Sequence, residues 1–596
     1  MARRGDDTPE HGRWGMLWIV VVGACLGALG ETMLRLATRL MGRPTYLNPQ
    51  AVWLAPLFAL AVLAIPTLLC LTVVPRARRV AALVLLASTF ALMEVLWLLP
   101  RLAPWALALV ALGIGVELAR RAHANAARTL RWARTAGVVL VGGSAAMAVG
   151  VNARRLLREH YGAKRPAAPP TSLNVVLVVL DAVRAEGMGL FGGPVPNTPF
   201  MTQLASQCVV FDRAVAPASW TLPSHASMFT GRWPADLDAD WAVPLDAREP
   251  VLAEQLNNRG YRTGAAVGNY LYTYYEFGLQ RGFAHYDDYG ISMSESAMRN
   301  VIGDRLSRGW NAVASDYVVP GRKDATRIRR DALRWVDAVD AHPFFLFVNL
   351  YDAHDPYAPP KPWRQAFLPS EPPTRALGDL EQHLDSASVN GLRSAYHGAI
   401  AYLDAEVDSL VGGLRSRDLL DRTVVIITAD HGEEFAEHRR LQHGNTLYYP
   451  SVHVPLMVCP PRLPPDAARR IADVVSLRDL PATILQLAGG SSDVSPLPGR
   501  SLDAYWRLGT PACRSKAISF VRRTPGAANW YRGAGESLTS LVEGDLHLIR
   551  TDQGSEELFN VASDAFEQRD LTRAAGMDSV LARLRESLAH PDACAR

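Results

Sequence analysis

Thr221 is the residue with the strongest indication of nucleophilic chemistry in this chain. It lies in Ser-Trp-Thr-Leu-Pro-Ser-His (219–225), ahead of a short apolar stretch that closes at Gly231. The pattern predicts a loop leading into a helix, with Pro223 in the first turn, where its missing N–H costs little. Free N–H groups at such a helix start attract anions, although a Thr in this position is more often a simple helix cap.

Carboxylate and imidazole side chains follow three apolar runs elsewhere in the chain. The runs and the groups that follow them are Asn174–Leu180 with Asp181, Phe344–Leu350 with Asp352 and His354, and Thr423–Thr428 with Asp430 and His431. Continuous apolar runs of this kind are typical of strands buried on both faces of a parallel sheet. Ligands bind beyond the carboxyl ends of such strands, so these groups are predicted to converge on a metal ion. The mixed ligand set favours Zn²⁺ or Mn²⁺, with Ca²⁺ or Mg²⁺ as alternatives.

Helical patterns alternate with these strands, at about 251–258, 328–340 and 395–415. Strands that alternate with helices predict a doubly wound α/β sheet. His443, beside Gly444 in the polar loop after the third run, is a further site candidate, whereas His438 could be an ordinary surface residue.

The first quarter of the chain predicts a membrane region of about five helices over residues 1–153. Five apolar runs lie at about 16–34, 52–74, 80–99, 102–119 and 136–152, each near the roughly 20 residues that a helix needs to cross a bilayer. Arg-rich stretches stand before the first run, after the second and after the fourth, which predicts that these three are cytoplasmic. An odd number of spans places everything after Asn152 on the outer side of the cytoplasmic membrane. A Pro-rich linker at 154–172 connects the last span to the outer domain.

Charge and cysteine usage narrow the choice of partners. Of the 62 Lys plus Arg residues, 20 lie up to Arg165, whereas only 7 of the 58 Asp plus Glu residues do. The rest of the chain, which is the predicted outer part, therefore has more acidic than basic residues. It has no basic stripe, which argues against a nucleic-acid partner. The six cysteines show no metal-binding spacing, and a disulfide such as Cys513 with Cys594 is one open possibility. Glu31 and Glu94 fall within the apolar runs, where a carboxyl group is costly unless it is paired.

A series of motifs resembles the sulfatase-like branch of the alkaline phosphatase superfamily. In chain order they are DAVRAEGMGLFG (181–192), SWTLPSHASMFTG (219–231), FFLFVNLYDAHDPY (344–357), YHGAIAYLDAEV (396–407), TADHGEEFAEH (428–438), VSLRDLPATILQLAG (475–489), LPGRSL (497–502) and EELFNVASDAFEQRDL (556–571). The resemblance covers nearly all of 172–575. It implies a catalytic domain at 173–490 and a small C-terminal subdomain at 491–596.

Departures from the family pattern bear on the substrate. Sulfatases of this family carry the pattern C-x-P-x-R, whose first residue, Cys or Ser, is converted to formylglycine. In this chain Thr221 takes the Cys position and His225 takes the Arg position. Sulfatases typically have two adjacent carboxylates after the first strand, but here Asp181 is followed by Ala182. His443 stands about where a sulfate-binding Lys is often found in the family. A Thr nucleophile, five spans and an external domain are similar in layout to lipoteichoic acid synthases and lipid A phosphoethanolamine transferases.

The pattern and the resemblance together imply a membrane-anchored, metal-dependent phosphoryl-type transferase or phosphodiesterase that acts on a lipid or glycan phospho-ester of the envelope. The implied metal ligands are Asp181, Thr221, Asp430 and His431, the implied catalytic residues are Thr221, His354 and His443, and the implied substrate-binding residues are His225, Arg184 and Asp352. A second metal held by Asp352, His354 and His443 is an alternative. The alternative functions are a sulfate-ester hydrolase and an inactive envelope scaffold.

Overall fold

The computed structural model describes residues 9–41, 50–99, 102–163, 167–241, 243–269, 271–288, 300–303, 305–306, 322–339, 342–367, 385–465, 467, 469–489, 497–507, 516–523 and 535–594. The chain divides into two compact units. Unit 1 comprises Met1–Arg158 and Gly290–Gly321, and unit 2 comprises Glu159–Tyr289 and Arg322–Arg596.

Unit 1 contains the N-terminal helices. They are α1 (Pro9–Leu40), α2 (Ala51–Val73), α3 (Arg79–Leu96), α4 (Pro104–Ala124) and α5 (Ala126–Ala163), the last of which continues into unit 2. Within the described residues, four helical stretches are long and apolar enough to cross a membrane: Trp14–Thr38, Ala51–Val73, Arg76–Leu96 and Ala126–Arg154. Helix α4 covers the fourth predicted run but is not among these four, and its membrane crossing stays a prediction.

Two carboxyl groups of unit 1 are hydrogen-bonded to a residue from the second part of that unit. Asn300 Nδ2 donates to Glu31 Oε2 at 3.0 Å and to Glu94 Oε1 at 2.7 Å. The Val301 N–H also donates to Glu31, at 3.1 Å, and Glu31 forms an ion pair with Arg35. These partners reduce the cost of carboxyl groups among apolar helices, because their oxygens accept hydrogen bonds inside the protein.

Unit 2 is built on a mixed sheet, in which the described residues form eight strands. They are β1 (Asn174–Leu180), β2 (Val209–Val215), β3 (Arg262–Val267), β4 (His285–Asp287), β5 (Phe344–Leu350), β6 (Thr423–Thr428), β9 (His453–Cys459) and β10 (Arg470–Ser476), in the order β10-β2-β9-β6-β1-β5-β3-β4. β7 (Glu434–Phe435) and β8 (Leu441–Gln442) form a separate pair. β1 runs parallel to β5 and β6, whereas β9 is antiparallel to both of its neighbours.

Helices alternate with these strands, which confirms the predicted α/β class. The described helices of unit 2 are α6 (Pro199–Leu204), α7 (Thr221–Thr230), α8 (Leu252–Asn258), α9 (Ala325–Ala338), α10 (Lys361–Arg364), α11 (Ser386–Arg415), α12 (Tyr449–Val452), α13 (Leu480–Leu487), α14 (Ala504–Arg507) and α15 (Met577–Ala589). Every residue of β1, β5 and β6 is buried, as expected for strands covered on both faces.

The C-terminal part of unit 2 adds a second sheet. It is antiparallel and consists of β11 (Ala517–Val521), β12 (Leu538–Glu543), β13 (Leu546–Thr551) and β14 (Glu556–Asn560). In the large sheet, a disulfide joins Cys208, just before β2, to Cys459 at the end of β9. The cysteine spacing did not predict this bridge, and Cys513 of the suggested Cys513–Cys594 pair lies outside the described residues.

Candidate active site

Asp181 follows β1 and its two carboxylate oxygens have different surroundings. Oδ2 accepts hydrogen bonds from Asn269 Nδ2 at 2.9 Å and from Asn349 Nδ2 at 3.1 Å. Oδ1 is buried and has no hydrogen-bond partner. The backbone turns sharply at the next residue, Ala182, which has φ 60°. One oxygen of Asp181 is therefore held by amides and the other is left for a ligand.

Asp430 follows the neighbouring parallel strand β6 and shows the same division. Oδ1 accepts hydrogen bonds from the N–H groups of Ala182 at 3.1 Å and His431 at 3.0 Å. Oδ2 is buried without a well-aligned hydrogen-bond partner and lies 3.4 Å from His431 Nε2. The two carboxylates thus each offer one unoccupied oxygen at the same edge of the sheet.

Asp181, Asp430 and His431 have the chemistry and spacing of a metal site. Their ligand atoms lie within 4.8 Å of one another, and all three residues are buried. Burial raises the pKa of Asp181 to about 8 and that of Asp430 to about 7, because their charged forms lose hydration. A divalent cation would favour both charged forms and would bind the free oxygens. These residues therefore fit the divalent metal that the sequence predicts, without identifying the element.

Thr221 lies at this cluster, at the first residue of α7. The preceding Trp220 is extended, and the Thr221 hydroxyl oxygen lies 3.1 Å from His431 Nε2. Asn269 Nδ2 donates to the same hydroxyl oxygen at 3.4 Å. The structure thus brings together the four residues that the sequence analysis named as metal ligands, with the Thr221 hydroxyl directly beside the carboxylate and imidazole groups.

His443 and His354 extend the site away from the metal cluster. The His443 ring lies 4.1 Å from the His431 ring and 4.8 Å from the His354 ring, between ring centres. His443 Nδ1 is 3.1 Å from Glu433 Oε1. Burial lowers the pKa of His443 and of His354 well below the usual histidine value. The neighbouring His431 lowers the pKa of His443 further, and His443 and His431 lower that of His354 further. Both rings are therefore neutral at neutral pH. His354 Nδ1 donates to the Asp355 carbonyl oxygen at 3.1 Å, which leaves Nε2 of the neutral ring as an acceptor.

The three residues predicted to bind substrate are each engaged by a partner within the protein. His225 Nδ1 donates to the Thr221 carbonyl oxygen at 2.8 Å, and burial lowers the His225 pKa to about 3. Arg184 forms a buried ion pair with Glu437 at 2.9 Å. Asp352 lies 3.3 Å from an Arg322 nitrogen and is not one of the three residues of the metal cluster. His225 thus supports the backbone at Thr221, while Arg184 and Asp352 are bound in ion pairs.

Two asparagines complete the site and were not found from the sequence. Asn349 is the one polar residue in the Phe-Phe-Leu-Phe-Val-Asn-Leu run of β5, and Asn269 stands two residues after β3. Asn349 Oδ1 accepts from the Asn269 N–H at 2.9 Å, so the same side chain that donates to Asp181 also positions Asn269. The sequence offered one signal for Asn349, a polar residue near the carboxyl end of a buried strand. It was not recognised because an amide lacks the charge that marks a candidate metal ligand.

Comparison with known proteins bears on the family of this chain. Residues 173–491 match the family model Sulfatase. Iduronate 2-sulfatase of Mus musculus is 24% identical over 389 residues, which cover 53% of this chain and 69% of that protein. An arylsulfatase of Clostridium perfringens is 24% identical over 373 residues, covering 53% and 74%.

Solved structures share the fold. The phosphonate monoester hydrolase of Agrobacterium radiobacter superposes with a TM-score of 0.57 and 22% identity, covering 70% of this chain and 95% of that one. The family model spans more than half of the chain, and the residues that form the metal cluster lie within it. The chain therefore belongs to the sulfatase family.

Proposed function

We propose that this protein is a membrane-anchored, metal-dependent phosphoryl-type transferase or phosphodiesterase that uses Thr221 as its nucleophile. The observation that carries the proposal is the position of the Thr221 hydroxyl, 3.1 Å from His431 Nε2 within the cluster of Asp181, Asp430 and His431. The family resemblance implies that a sulfatase needs formylglycine at this position, and Thr cannot be converted to it. A threonine hydroxyl is, in contrast, a suitable nucleophile for phosphorus.

The residues would act in two steps. In the first, the Thr221 oxygen bonds to phosphorus, the ester P–O bond breaks, and the departing alkoxide takes a proton from water as the hydroxyl proton is lost to solvent. In the second, water or an acceptor hydroxyl bonds to phosphorus, the bond to Thr221 breaks, and Thr221 regains its proton. His354 and His443, once protonated, would donate hydrogen bonds to the non-bridging oxygens, whose negative charge favours the imidazolium form.

Asp181, Asp430 and His431 would hold the divalent ion, for which Zn²⁺ or Mn²⁺ is expected from the mixed oxygen and nitrogen ligands. Such an ion supplies positive charge that favours the deprotonated form of the neighbouring hydroxyl. Asn269 and Asn349 would keep the second oxygen of Asp181 occupied, so that only Oδ1 is offered to the metal. Ca²⁺ and Mg²⁺ remain the alternatives to be compared in reconstitution.

A sulfate-ester hydrolase is the second candidate, because the family and the two relatives named above carry that activity in their names. An inactive envelope scaffold is a third, but a scaffold need not retain a nucleophile and three ligand groups in contact. Substrate would come from the envelope, as a lipid or glycan ester. The Cys208–Cys459 disulfide supports an external position for this unit, because disulfides persist in oxidising compartments.

The test compares two chromogenic esters on the same purified full-length protein, loaded in turn with Zn²⁺, Mn²⁺, Ca²⁺ and Mg²⁺. We expect hydrolysis of a bis-aryl phosphodiester and none of an aryl sulfate. Intact-protein mass spectrometry after incubation with an envelope lipid extract should show an adduct that is absent from Thr221→Ala. Robust aryl sulfate hydrolysis would overturn the proposal in favour of the second candidate, and inactivity toward both esters and the extract with every metal would favour the scaffold.

A further inference from the structure

Arg322 is a buried cation beside the active site with unused hydrogen-bonding capacity. Its side chain is 6% exposed, and only Nη2 is engaged, by the Tyr351 carbonyl oxygen at 3.1 Å and by Asp352 Oδ1 at 3.3 Å. Nε and Nη1 are buried and have no hydrogen-bond partner. Among the arginines that the structure describes, Arg322 alone has two guanidinium nitrogens in this state. Unsatisfied buried donors are costly, which indicates a missing acceptor.

A continuous series of rings links Arg322 to the reacting groups. The guanidinium lies over the Tyr351 ring, 5.3 Å from its centre, and that ring stacks on His354 with 4.4 Å between centres. His354 in turn contacts His443, which lies against His431. Arg322 therefore stands at the far end of the site from Thr221, on the side of the histidines that would hold the substrate oxygens.

Two other cations among the described residues of this region, Arg184 and Lys323, have less free hydrogen-bonding capacity, since Arg184 Nε is the one nitrogen of the two that is buried without a partner. The Arg184 guanidinium donates to Glu437 and to the Glu433 carbonyl oxygen, at 2.9 and 3.0 Å. Lys323, next to Arg322 in sequence, donates to the Asp287 side chain at 2.7 Å. The two free donors of Arg322, Nε–H and Nη1–H, lie on different edges of the guanidinium plane, and each can donate one hydrogen bond to an oxygen of a carboxylate, phosphate or sulfate group.

We propose that Arg322 is the centre of a second anion-binding subsite, which takes a carboxylate, phosphate or sulfate group of the substrate separate from the one that reacts at Thr221. The proposal rests on the proposed function only in taking the reacting group to be a tetrahedral ester at the metal cluster. It makes the preferred substrate an ester with a second negative charge several atoms away from the reacting centre. Asp352 and the Tyr351 carbonyl oxygen then hold the guanidinium in place through Nη2.

The test uses binding rather than turnover. Calorimetric titration of the full-length, Mn²⁺-loaded protein would compare methylphosphonate with a series of ω-phosphonocarboxylates that have two to six methylene groups. We expect one chain length to bind about tenfold tighter than methylphosphonate, the gain typical of hydrogen bonds to a charged group. Arg322→Gln should abolish this preference while leaving methylphosphonate affinity unchanged, and Arg322→Lys should retain part of it because the charge remains but the fixed planar arrangement of donors is lost.

Arg329→Gln is the matched control, since Arg329 lies on α9 and donates to Glu406 at 2.7 Å; it should keep the full preference. The affinity ratio is internal to each preparation, so a destabilised variant does not imitate the expected result. A wild type without preference at any chain length, or an Arg322→Gln variant that weakens all ligands equally, would refute the subsite. Repeating the series with methanesulfonate and ω-sulfonocarboxylates separates the two proposals: a preference confined to sulfonates would keep the subsite and count against phosphoryl chemistry.

Discussion

Asn349 donates a hydrogen bond of 3.1 Å to Asp181, on the carboxylate oxygen that also accepts from Asn269. This amide fixes which oxygen of Asp181 is presented to the metal cluster. Its own carbonyl oxygen accepts from the Asn269 N–H, so one buried side chain aligns two residues of the site. Groups that orient a ligand in this way usually influence metal affinity although they do not touch the ion.

Replacing Asn349 by Leu should therefore lower metal affinity by about ten- to a hundredfold. Competition with a chelator of known affinity, on the purified protein, measures this change. Asn174→Leu is the matched control, because Asn174 is buried at the opposite end of the neighbouring strand and bonds to Thr423. It should cost stability without changing metal affinity, and equal losses of affinity in both variants would show that Asn349 has no specific role.

Loss of a proposed metal ligand should remove metal and activity together. Asp430→Asn and His431→Ala each take away a group of the buried cluster, and we expect the purified variants to contain little tightly bound metal while still inserting into membranes. Elemental analysis by mass spectrometry measures the metal, and membrane fractionation the insertion. His438→Ala is a control, since His438 is bonded to Glu434 outside the cluster. Wild-type metal content in both ligand variants would contradict the assignment.

Substitutions at Thr221 should distinguish the contribution of its hydroxyl oxygen to activity from that of its methyl group. Thr221→Ala should lose at least about a thousandfold in kcat, because no other hydroxyl of α7 lies at His431. Thr221→Ser should keep measurable activity, since the oxygen remains and only the rotamer restriction is lost. Thr221→Cys should be poorly active and gain no sulfatase activity, because His225 stands where the maturation pattern has Arg. Kinetics on the phosphodiester and the aryl sulfate check all three, and sulfate hydrolysis by the Cys variant would be contrary to this expectation.

Stability should depend on pH through His453. Burial alone would lower its pKa, but Glu186, 2.6 Å from Nδ1, outweighs burial and raises it. A pKa raised in the folded state contributes stability that is fully present below the unfolded value of about 6.5 and is lost as pH rises through the folded value. The stability difference between wild type and His453→Gln should therefore shrink from about pH 6 upwards. Denaturant titrations at several pH values test this, with Glu186→Gln expected to remove the same dependence; a constant difference would exclude the pair as the cause.

Reporter fusions test the topology of the helices. A fusion at residue 125, between α4 and α5, should report the cytoplasm, and one after residue 160 the outer side, if α4 crosses the membrane as the fourth of five spans. Should only the four stretches Trp14–Thr38, Ala51–Val73, Arg76–Leu96 and Ala126–Arg154 cross, the two signals would be exchanged. Paired alkaline-phosphatase-type and fluorescent reporters at both positions give the answer.

The sequence predicted the parts of the site that carry charge and follow apolar strands. Asp181, Asp430 and His431 could be found because the carboxyl ends of parallel strands meet at one edge, and β1 and β6 are indeed parallel neighbours. The direction of β9 was not predictable, because apolar content does not specify whether a strand is parallel or antiparallel. Neither was the Cys208–Cys459 bridge, whose cysteines are 251 residues apart and meet only through strand order.

Asn269 and Asn349 were missed for a different reason. Their importance arises from hydrogen bonds between residues 80 positions apart in sequence, which only the folded sheet brings together. Arg322 was likewise one of many arginines until its buried, unpartnered nitrogens were seen. Positions whose role depends on orientation, and not on residue type, have no pattern in a single sequence.

The Asn300 contacts have a consequence for proteolytic separation of the two units, if the N-terminal helices anchor the chain in a membrane as proposed. Asn300 belongs to residues 290–321, which are part of unit 1 although the chain on both sides of them belongs to unit 2. It is hydrogen-bonded to Glu31 and Glu94 of the N-terminal helices. A protease that cuts once in the linker after α5 severs the peptide chain but not these bonds. Separation of unit 2 from the N-terminal helices therefore requires a second event, either another cut within 290–321 or the loss of the Asn300 contacts.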